Sequence, residues 1–250
     1  MTDQFENSPA GWVGVRSNCW DYRGACCYYS SSCYFVSFVT KQQTAKARAK
    51  KIKLLLLDVD GVMTDGSIWL FPAPAGAQQN TVAGDQPRRD IGGYEIASPT
   101  VIESKGFNAH DGAGISLARL GGLKVGLITK RISETVALRA RDLRLDHVYQ
   151  GIADKLTTFR EILEREKLNE SEAAFVGDDV IDLPVMRHCG LAIAVPNARK
   201  VVKAEAHFVT ENSGGHGAVR DAIEFILSAQ GKLEKAVEEY IRARGPLKTE

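Results

Sequence analysis

Two carboxylates, Asp58 and Asp60, directly follow an apolar run and precede Gly61. Alternate residues of a strand point to the same side, so the two acids can face one pocket as reacting groups. An ordinary Asp-Gly turn and a calcium-binding loop are the alternatives. The calcium loop needs further oxygen ligands, whereas Val62 and Met63 come next.

A hydroxyl and a lysine stand at two other chemically suggestive places. Thr129 follows the apolar residues 125–128, where a hydroxyl donor suits a phosphoryl oxygen, although a lone threonine there is usually only a cap. Lys155 follows Asp154, the predicted cap of a helix. The helix dipole disfavours a cation in the first turn, so Lys155 indicates either a bound anion or a merely solvated charge.

Three more carboxylates, Asp178, Asp179 and Asp182, crowd the end of another apolar run, residues 173–176. They would repel one another unless a hard cation or a basic side chain neutralises them. Mg2+ is the natural candidate, because a few protein oxygens and several waters satisfy it. The sequence therefore predicts a magnesium site here.

Strand-like runs alternate with helical patterns from residue 52 onward. The predicted strands are 52–59, 123–128, 147–149, 173–176, 191–195 and 207–209, and the predicted helices are 112–120, 133–144, 155–167, 180–188 and 198–203. This alternation predicts an α/β fold with a parallel sheet covered by helices on both faces. In such a sheet a ligand binds beyond the carboxyl ends of the strands, where Asp58, Thr129 and Asp178 fall.

Four segments organise the chain. We expect a poorly ordered leader over residues 1–50, which a start codon placed too early would explain, and a main domain over 51–230. A flexible insert over 71–100 separates hairpin strands predicted at 67–70 and 101–107; a substrate lid is its alternative interpretation. Apolar spacing over 218–243 predicts two amphipathic helices, and residues 231–250 form a C-terminal helix and tail that could pack on a partner subunit.

Composition limits the partners. The 250 residues are 44% hydrophobic and 25% charged, as expected for one main domain, and the net charge of +1 favours neither nucleic acid nor a membrane surface. Four of the five cysteines lie in the first 33 residues without zinc-site spacing, which predicts a reduced, cytoplasmic protein. The apolar residues 25–39 are too few for a membrane span.

The order Asp-x-Asp, Thr, Lys and Gly-Asp-Asp-x-x-Asp resembles the haloacid dehalogenase superfamily of phosphatases. Further likeness to the 3-deoxy-D-manno-octulosonate 8-phosphate phosphatase family covers roughly residues 52–240 and is carried by 58–66, 107–115, 149–151, 177–186 and 214–220. The resemblance implies a Rossmann-like three-layer sandwich of the capless type, with a β-hairpin in place of a cap domain. It also implies a homotetramer whose neighbouring subunits close the site.

The resemblance assigns roles to most of these residues. Asp58 would be the nucleophile, Asp60 the general acid and base, and Asp58, the Asp60 carbonyl and Asp178 would hold Mg2+. Gly61, Thr129 and Lys155 would bind the phosphoryl group, while Asp179 and Asp182 would orient water ligands and Lys155. Candidates for binding the carboxylate of the sugar are Arg131, Lys130 and His110.

The implied activity is hydrolysis of 3-deoxy-D-manno-octulosonate 8-phosphate in lipopolysaccharide precursor synthesis. Lys130 replaces the usual Gly and His216 the usual Arg of this family. Lys130 instead resembles phosphatases of nine-carbon, sialic-acid-type sugar 9-phosphates, so that substrate stays an alternative. A noncatalytic domain on the same scaffold and a phosphoacceptor signalling domain also remain candidates.

Overall fold

The computed structural model describes residues 44–73 and 101–243, which form strands and helices in alternation. In chain order the strands are β1 (Leu54–Leu57), β2 (Trp69–Pro72), β3 (Val101–Ser104), β4 (Lys124–Ile128), β5 (His147–Tyr149), β6 (Ala173–Gly177), β7 (Leu191–Ala194) and β8 (Phe208–Val209). Six of them make one parallel sheet in the order β5-β4-β1-β6-β7-β8. This confirms the predicted parallel α/β fold.

Helices cover this sheet in two groups. The helices are α1 (44–49), α2 (Ala109–Leu120), α3 (Glu134–Leu143), α4 (Lys155–Glu166), α5 (Leu183–His188), α6 (Lys200–Glu205), α7 (Ala218–Ala229) and α8 (Leu233–Arg242). One group contains α2, α7 and α8, and the other α4, α5 and α6. Among the described helices, none has the length and apolar character needed to cross a bilayer.

The core is centred on β1, whose four leucines are fully buried. Consecutive side chains of a strand point to opposite faces, so both faces of β1 are covered. Its neighbours β4 and β6 are paired with it residue by residue, Leu57 lying opposite Leu127 and Val176. The three strands therefore end level with one another, and the residues that follow them meet at one edge.

Strands β2 and β3 form the predicted antiparallel hairpin, but both have other bounds, and β3 ends at Ser104 and not at 107. The first strand runs from Trp69 to Pro72, so Phe71 and Pro72 belong to it and not to the predicted insert over 71–100. Proline is tolerated because it stands at the end of the strand and on a two-stranded ribbon. The rest of the predicted insert, residues 74–100, lies outside the described residues.

The predicted domain boundaries also need correction. The predicted leader includes residues 44–50, yet 44–49 form α1, in which Ala45 and Ala49 are fully buried. Arg48 of this helix donates to the carbonyl of Gly190 at 2.8 Å. At the other end, α8 packs on α2 and α7 of its own chain, with Ala236 buried. Residues 1–43 and 244–250 lie outside the described residues.

Two helix starts differ from their predictions for local chemical reasons. Helix α2 begins at Ala109 and not at 112, because the Asn108 side chain caps it by accepting the backbone N–H of His110 at 2.8 Å. The predicted helix 180–188 is divided into a 3₁₀ turn, Val180–Asp182, and α5. Pro184 occupies the first turn of α5, where its missing N–H is harmless.

Asp111 fastens α7 to α2. Its side chain is 3% exposed and accepts the backbone N–H of Arg220, in the first turn of α7, at 3.0 Å. Burial raises the pKa of Asp111 to about 6, although backbone N–H groups of Arg220, Val219 and Gly217 oppose the shift. The carboxyl group therefore binds a proton more tightly in the folded chain than in the unfolded one.

We expect the stability contribution of Asp111 to fall as the pH rises. Between pH 3.8, its ordinary pKa, and about 6, the folded state holds more protons than the unfolded state, so raising the pH favours unfolding. The free energy of unfolding of the wild type, relative to Asp111→Asn, should fall by on the order of 2 kcal/mol across this window. Urea unfolding at several pH values measures it. Glu238→Gln, on α8, is the control for the general effect of removing a negative charge. A wild type whose free energy of unfolding stays parallel to that of Asp111→Asn across this pH range would contradict the assignment.

Candidate active site

The candidate active site lies beyond the carboxyl ends of the three central strands. Asp58 follows β1, Thr129 follows β4, and Asp178 follows β6. The backbone N–H of Asp58 donates to the carbonyl of Val176 at 3.0 Å, and that of Thr129 to the carbonyl of Tyr149 at 2.9 Å, so both residues continue the pairing of their strands. The sheet register therefore brings together the groups that the sequence had placed at separate strand ends.

Lys155 is buried between two of the carboxylates. It is 3% exposed, and its Nζ lies 2.8 Å from Oδ1 of Asp58 and 2.7 Å from Oδ1 of Asp182. Burial lowers the pKa of Lys155, but the two carboxylates outweigh burial and raise it. The position of Lys155 in the first turn of α4 is thereby explained: the anions that compensate it belong to the chain itself.

Asp58, Asp178 and Asp182 form a cluster that could hold a metal ion. One oxygen from each carboxylate lies within 4.8 Å of the others. Asp182 is already engaged, since Oδ1 accepts from Lys155 and Oδ2 accepts the backbone N–H groups of Asp178 and Asp179 at 3.0 and 3.3 Å. By contrast, Oδ1 of Asp178 is buried without a hydrogen-bond partner among the described residues.

The electrostatics of this cluster favour a bound cation. Burial raises the pKa of Asp58 to about 7, with the Lys155 ammonium opposing the shift. Burial also raises the pKa of Asp178 to about 7, and the charges of Asp58 and Asp182 raise it further. Hard oxygen donors, like charges and an orphaned acceptor fit a divalent ion such as Mg2+. The donor set of the described residues thus suits the predicted metal.

The side chain of Asp60 points to a different group of charges. Its Oδ1 accepts from Lys105 Nζ at 2.5 Å, and its Oδ2 accepts from Arg131 Nε at 3.0 Å. Glu103 lies beside both cations, 3.3 Å from Lys105 Nζ and 4.0 Å from Arg131 Nη1. The metal role predicted for Asp60 involves only its main-chain carbonyl, and the third carboxylate of the metal cluster is that of Asp182.

Glycines allow the loops of the site to approach closely. Gly61 has a φ of +91°, and a Cβ there would lie 2.3 Å from Oδ2 of Asp178. A Cβ on Gly214 would lie 1.8 Å from the carbonyl oxygen of Gly61. Asn197 bridges the same two residues, donating to the Gly61 carbonyl at 2.9 Å and accepting the Gly214 N–H at 2.8 Å. Backbone contact at this distance leaves no room for side chains.

The remaining predicted site residues differ in their positions. Thr129 is 2% exposed, and its hydroxyl accepts the backbone N–H of Arg131 at 3.4 Å. Lys130 is half-buried, and His110 is exposed in the first turn of α2. Arg131, the third predicted sugar contact, is joined to Asp60.

Sequence reasoning missed Lys105, Glu103 and Asn197. Glu103 and Lys105 fell inside the predicted hairpin strand 101–107, where nothing local distinguishes a catalytic neighbour from a surface charge. Asn197 follows β7 and offered no motif. Lys105 and Asn197 act through contacts with residues 45 and 136 positions away, so only the fold reveals them.

Known proteins share this sequence and architecture. A family model for haloacid dehalogenase-like hydrolases matches residues 129–223. The 3-deoxy-D-manno-octulosonate 8-phosphate phosphatase of Escherichia coli is 37% identical over 190 residues, which cover 76% of this chain and 87% of that relative. The chain belongs to the haloacid dehalogenase superfamily. It is a phosphatase of this superfamily, and it shares its fold with solved relatives.

Solved structures agree with this membership. The 3-deoxy-D-manno-octulosonate 8-phosphate phosphatase of Yersinia pestis superposes with a TM-score of 0.63 at 37% identity, covering 76% of this chain and 89% of that one. The phosphatase of the same name from Moraxella catarrhalis, solved with a magnesium ion, a phosphate ion and a KDO molecule, gives a TM-score of 0.65 at 31% identity. Its match covers 78% of this chain and 97% of that one.

The close approach at Gly61 yields a test with a matched control. Gly61→Ala places a methyl group against Asp178, whereas Gly122→Ala at φ +73° meets nothing within 4 Å. Both variants strain the backbone by about 1 kcal/mol. We expect only Gly61→Ala to lower phosphatase turnover, by at least about tenfold, because Asp178 must move. Turnover of p-nitrophenyl phosphate and urea unfolding measure the two effects; equal activity of the two variants would contradict the assigned role of this contact.

Proposed function

We propose that this phosphatase is Mg2+-dependent and hydrolyses 3-deoxy-D-manno-octulosonate 8-phosphate through an aspartyl-phosphate on Asp58. The observation that carries the proposal is that the Asp58 carboxylate contacts the Lys155 ammonium at 2.8 Å and clusters with Asp178, whose buried Oδ1 has no hydrogen-bond partner among the described residues. Such a site surrounds the carboxylate with the charges that phosphoryl transfer needs. The names of the relatives, and the ligands of the Moraxella structure, support the substrate and the metal.

In the proposed reaction an oxygen of Asp58 attacks phosphorus as the bond to the sugar oxygen breaks. Asp60 gives a proton to the departing oxygen and later takes one from the water that hydrolyses the aspartyl-phosphate. Mg2+, held by Asp58, the Asp60 carbonyl and Asp178, would supply charge to the phosphoryl oxygens. The chain adds the Lys155 ammonium to this charge.

The other predicted residues complete the site. Thr129 and the Gly61 amide bind phosphoryl oxygens, and Asp179 orients water. Asp182 orients Lys155, in agreement with their 2.7 Å contact. A planar guanidinium suits a carboxylate, so Arg131 is the first candidate for the acid group of the sugar, assisted by Lys130 and His110.

A nine-carbon sugar 9-phosphate is the second candidate substrate. Lys130 favours it, because this lysine replaces the glycine expected for the eight-carbon enzymes and lies next to the phosphate-binding Thr129. The role in lipopolysaccharide precursor synthesis follows only if the eight-carbon sugar is the substrate. The cytoplasmic location stays a prediction.

Asp58→Asn should abolish turnover and leave the fold intact, because it removes the attacking charge and keeps the shape.

The test of substrate and metal compares kcat/KM for the eight-carbon 8-phosphate with nine-carbon ulosonate 9-phosphates, in Mg2+ and after its removal by EDTA. We expect the eight-carbon substrate to be preferred at least tenfold and EDTA to abolish activity. The opposite preference would assign the nine-carbon 9-phosphate as the substrate. Activity of Asp58→Asn, after contaminants and deamidation are excluded, would refute the assignment of Asp58 as the nucleophile.

The hairpin supports the proposed homotetramer. Trp69, Leu70 and Phe71 are 58%, 53% and 48% exposed on β2, and each hairpin strand pairs only with the other among the described residues. Apolar side chains and open strand edges at one place are typical of a protein interface. We therefore propose that the hairpins of neighbouring subunits pack together.

Trp69→Asp should dissociate this assembly, because it would bury a charge in the proposed interface. Light scattering should give the mass of four chains for the wild type and of a smaller species for the variant. Leu138→Asp, at a residue that is 52% exposed on α3, is the matched control and should remain tetrameric. A monomeric wild type, or an intact tetramer of Trp69→Asp, would refute the proposed interface.

A further inference from the structure

Lys105 is a buried cation that the reaction proposed above does not use. It directly follows β3, and its side chain is 0% exposed. Its ammonium contacts Asp60 Oδ1 at 2.5 Å and Glu103 Oε1 at 3.3 Å. A buried ammonium is costly unless it is paired, so its place in the fold depends on these two carboxylates.

The two oxygens of Asp60 have partners in different surroundings. Oδ2 accepts from Arg131, whose side chain is 19% exposed and extends from the loop between β4 and α3. Oδ1 accepts from Lys105, which water cannot reach. Asp60 itself is 26% exposed, so its carboxylate would sample several orientations without a fixed partner. The buried Lys105 ammonium restricts that freedom.

The same contact ties the hairpin to the reaction centre. Glu103 and Lys105 both come from the second hairpin strand or its end, and the Thr135 hydroxyl of α3 donates to the carbonyl of Glu103 at 3.3 Å. The hairpin is thereby held against the body of the protein on one side and against Asp60 on the other. The hairpin whose first strand exposes apolar side chains therefore also contacts Asp60, the proposed acid.

We propose that Lys105 is a positioning residue, which holds the carboxyl group of Asp60 at the departing oxygen of the substrate. The inference rests on the proposed function and adds a residue to it. As the bond between phosphorus and the Asp58 oxygen forms, the electron pair of the breaking P–O bond goes to the sugar oxygen, and the Asp60 proton follows it. Lys105 neither gives nor takes a proton; it fixes where the proton donor stands.

A positioning role predicts a dependence on the leaving group. An alkyl leaving group, such as the primary alcohol of a sugar, must be protonated as it departs, whereas p-nitrophenolate leaves readily without a proton. Lys105→Met should therefore lower kcat/KM, which reports formation of the aspartyl-phosphate and not its later hydrolysis, by about 100-fold for the sugar phosphate and by less than about tenfold for p-nitrophenyl phosphate. The sugar phosphate is the one that the wild type turns over fastest.

Two further variants make the test decisive. Lys124 is the first residue of β4, at the end of the strand away from the site, and is paired with Glu166. Lys124→Met is the lysine control and should keep the wild-type activity on both substrates. In the Asp60→Asn background, Lys105→Met should have no additional effect, because a residue that acts through Asp60 has nothing left to position. This double variant also removes both charges of the pair, so it remains informative if Lys105→Met alone fails to fold.

The outcomes separate this inference from the proposed function. A wild type without phosphatase turnover would refute the function. An active wild type with equal loss on both substrates in Lys105→Met, no loss on either, or a further loss in the Asp60→Asn background would overturn the role of Lys105. A selective loss on the sugar phosphate that disappears in that background would establish it.

Discussion

The burial of the Lys155 ammonium between Asp58 and Asp182 is the interaction on which the site depends. Three charges removed from water are tolerated only when their geometry compensates the lost hydration. To bring them together, the ends of β1 and β6 and the start of α4 must converge. The same convergence fixes the carboxylates before a metal binds, which is the preorganisation that electrostatic catalysis requires. Folding of the sheet edge and the chemistry of the site thus require the same arrangement of Asp58, Lys155 and Asp182.

The charges fall into two groups with different surroundings. Asp58 and its partners Lys155 and Asp182 are almost fully buried, whereas Asp60 and Arg131 are partly exposed and form a second group with the largely buried Lys105 and Glu103. In the proposed reaction the first group would act on the phosphoryl group, which all substrates share. The second would act on the leaving group and is built partly from the hairpin, so substrate choice and the proposed subunit contact would influence the reaction there.

The sequence by itself determined the parallel sheet and the principal site residues. Apolar runs that end in Asp58, Thr129 and Asp178 are sufficient evidence for both. Strand periodicity is a local property of the sequence, and the binding of ligands beyond the carboxyl ends of strands is a general rule for parallel sheets. The sequence placed the start of α2 three residues too late, assigned α1 to a poorly ordered leader, and left open whether Lys155 pairs with a bound anion or is only solvated. Capping, side-chain burial and ion pairing decide these three features. Each depends on contacts that the spacing of the residues along the chain does not predict.

Only the tertiary structure decided what surrounds Asp60. Lys105 contacts it from the end of the hairpin and Arg131 from the loop after β4, 45 and 71 residues away along the chain, and Glu103 contacts both cations. No periodicity links such positions, since their meeting depends on how the hairpin folds back over the sheet edge. The sequence thus determined which polar groups stand at the strand ends, and long-range packing decided which cations contact them.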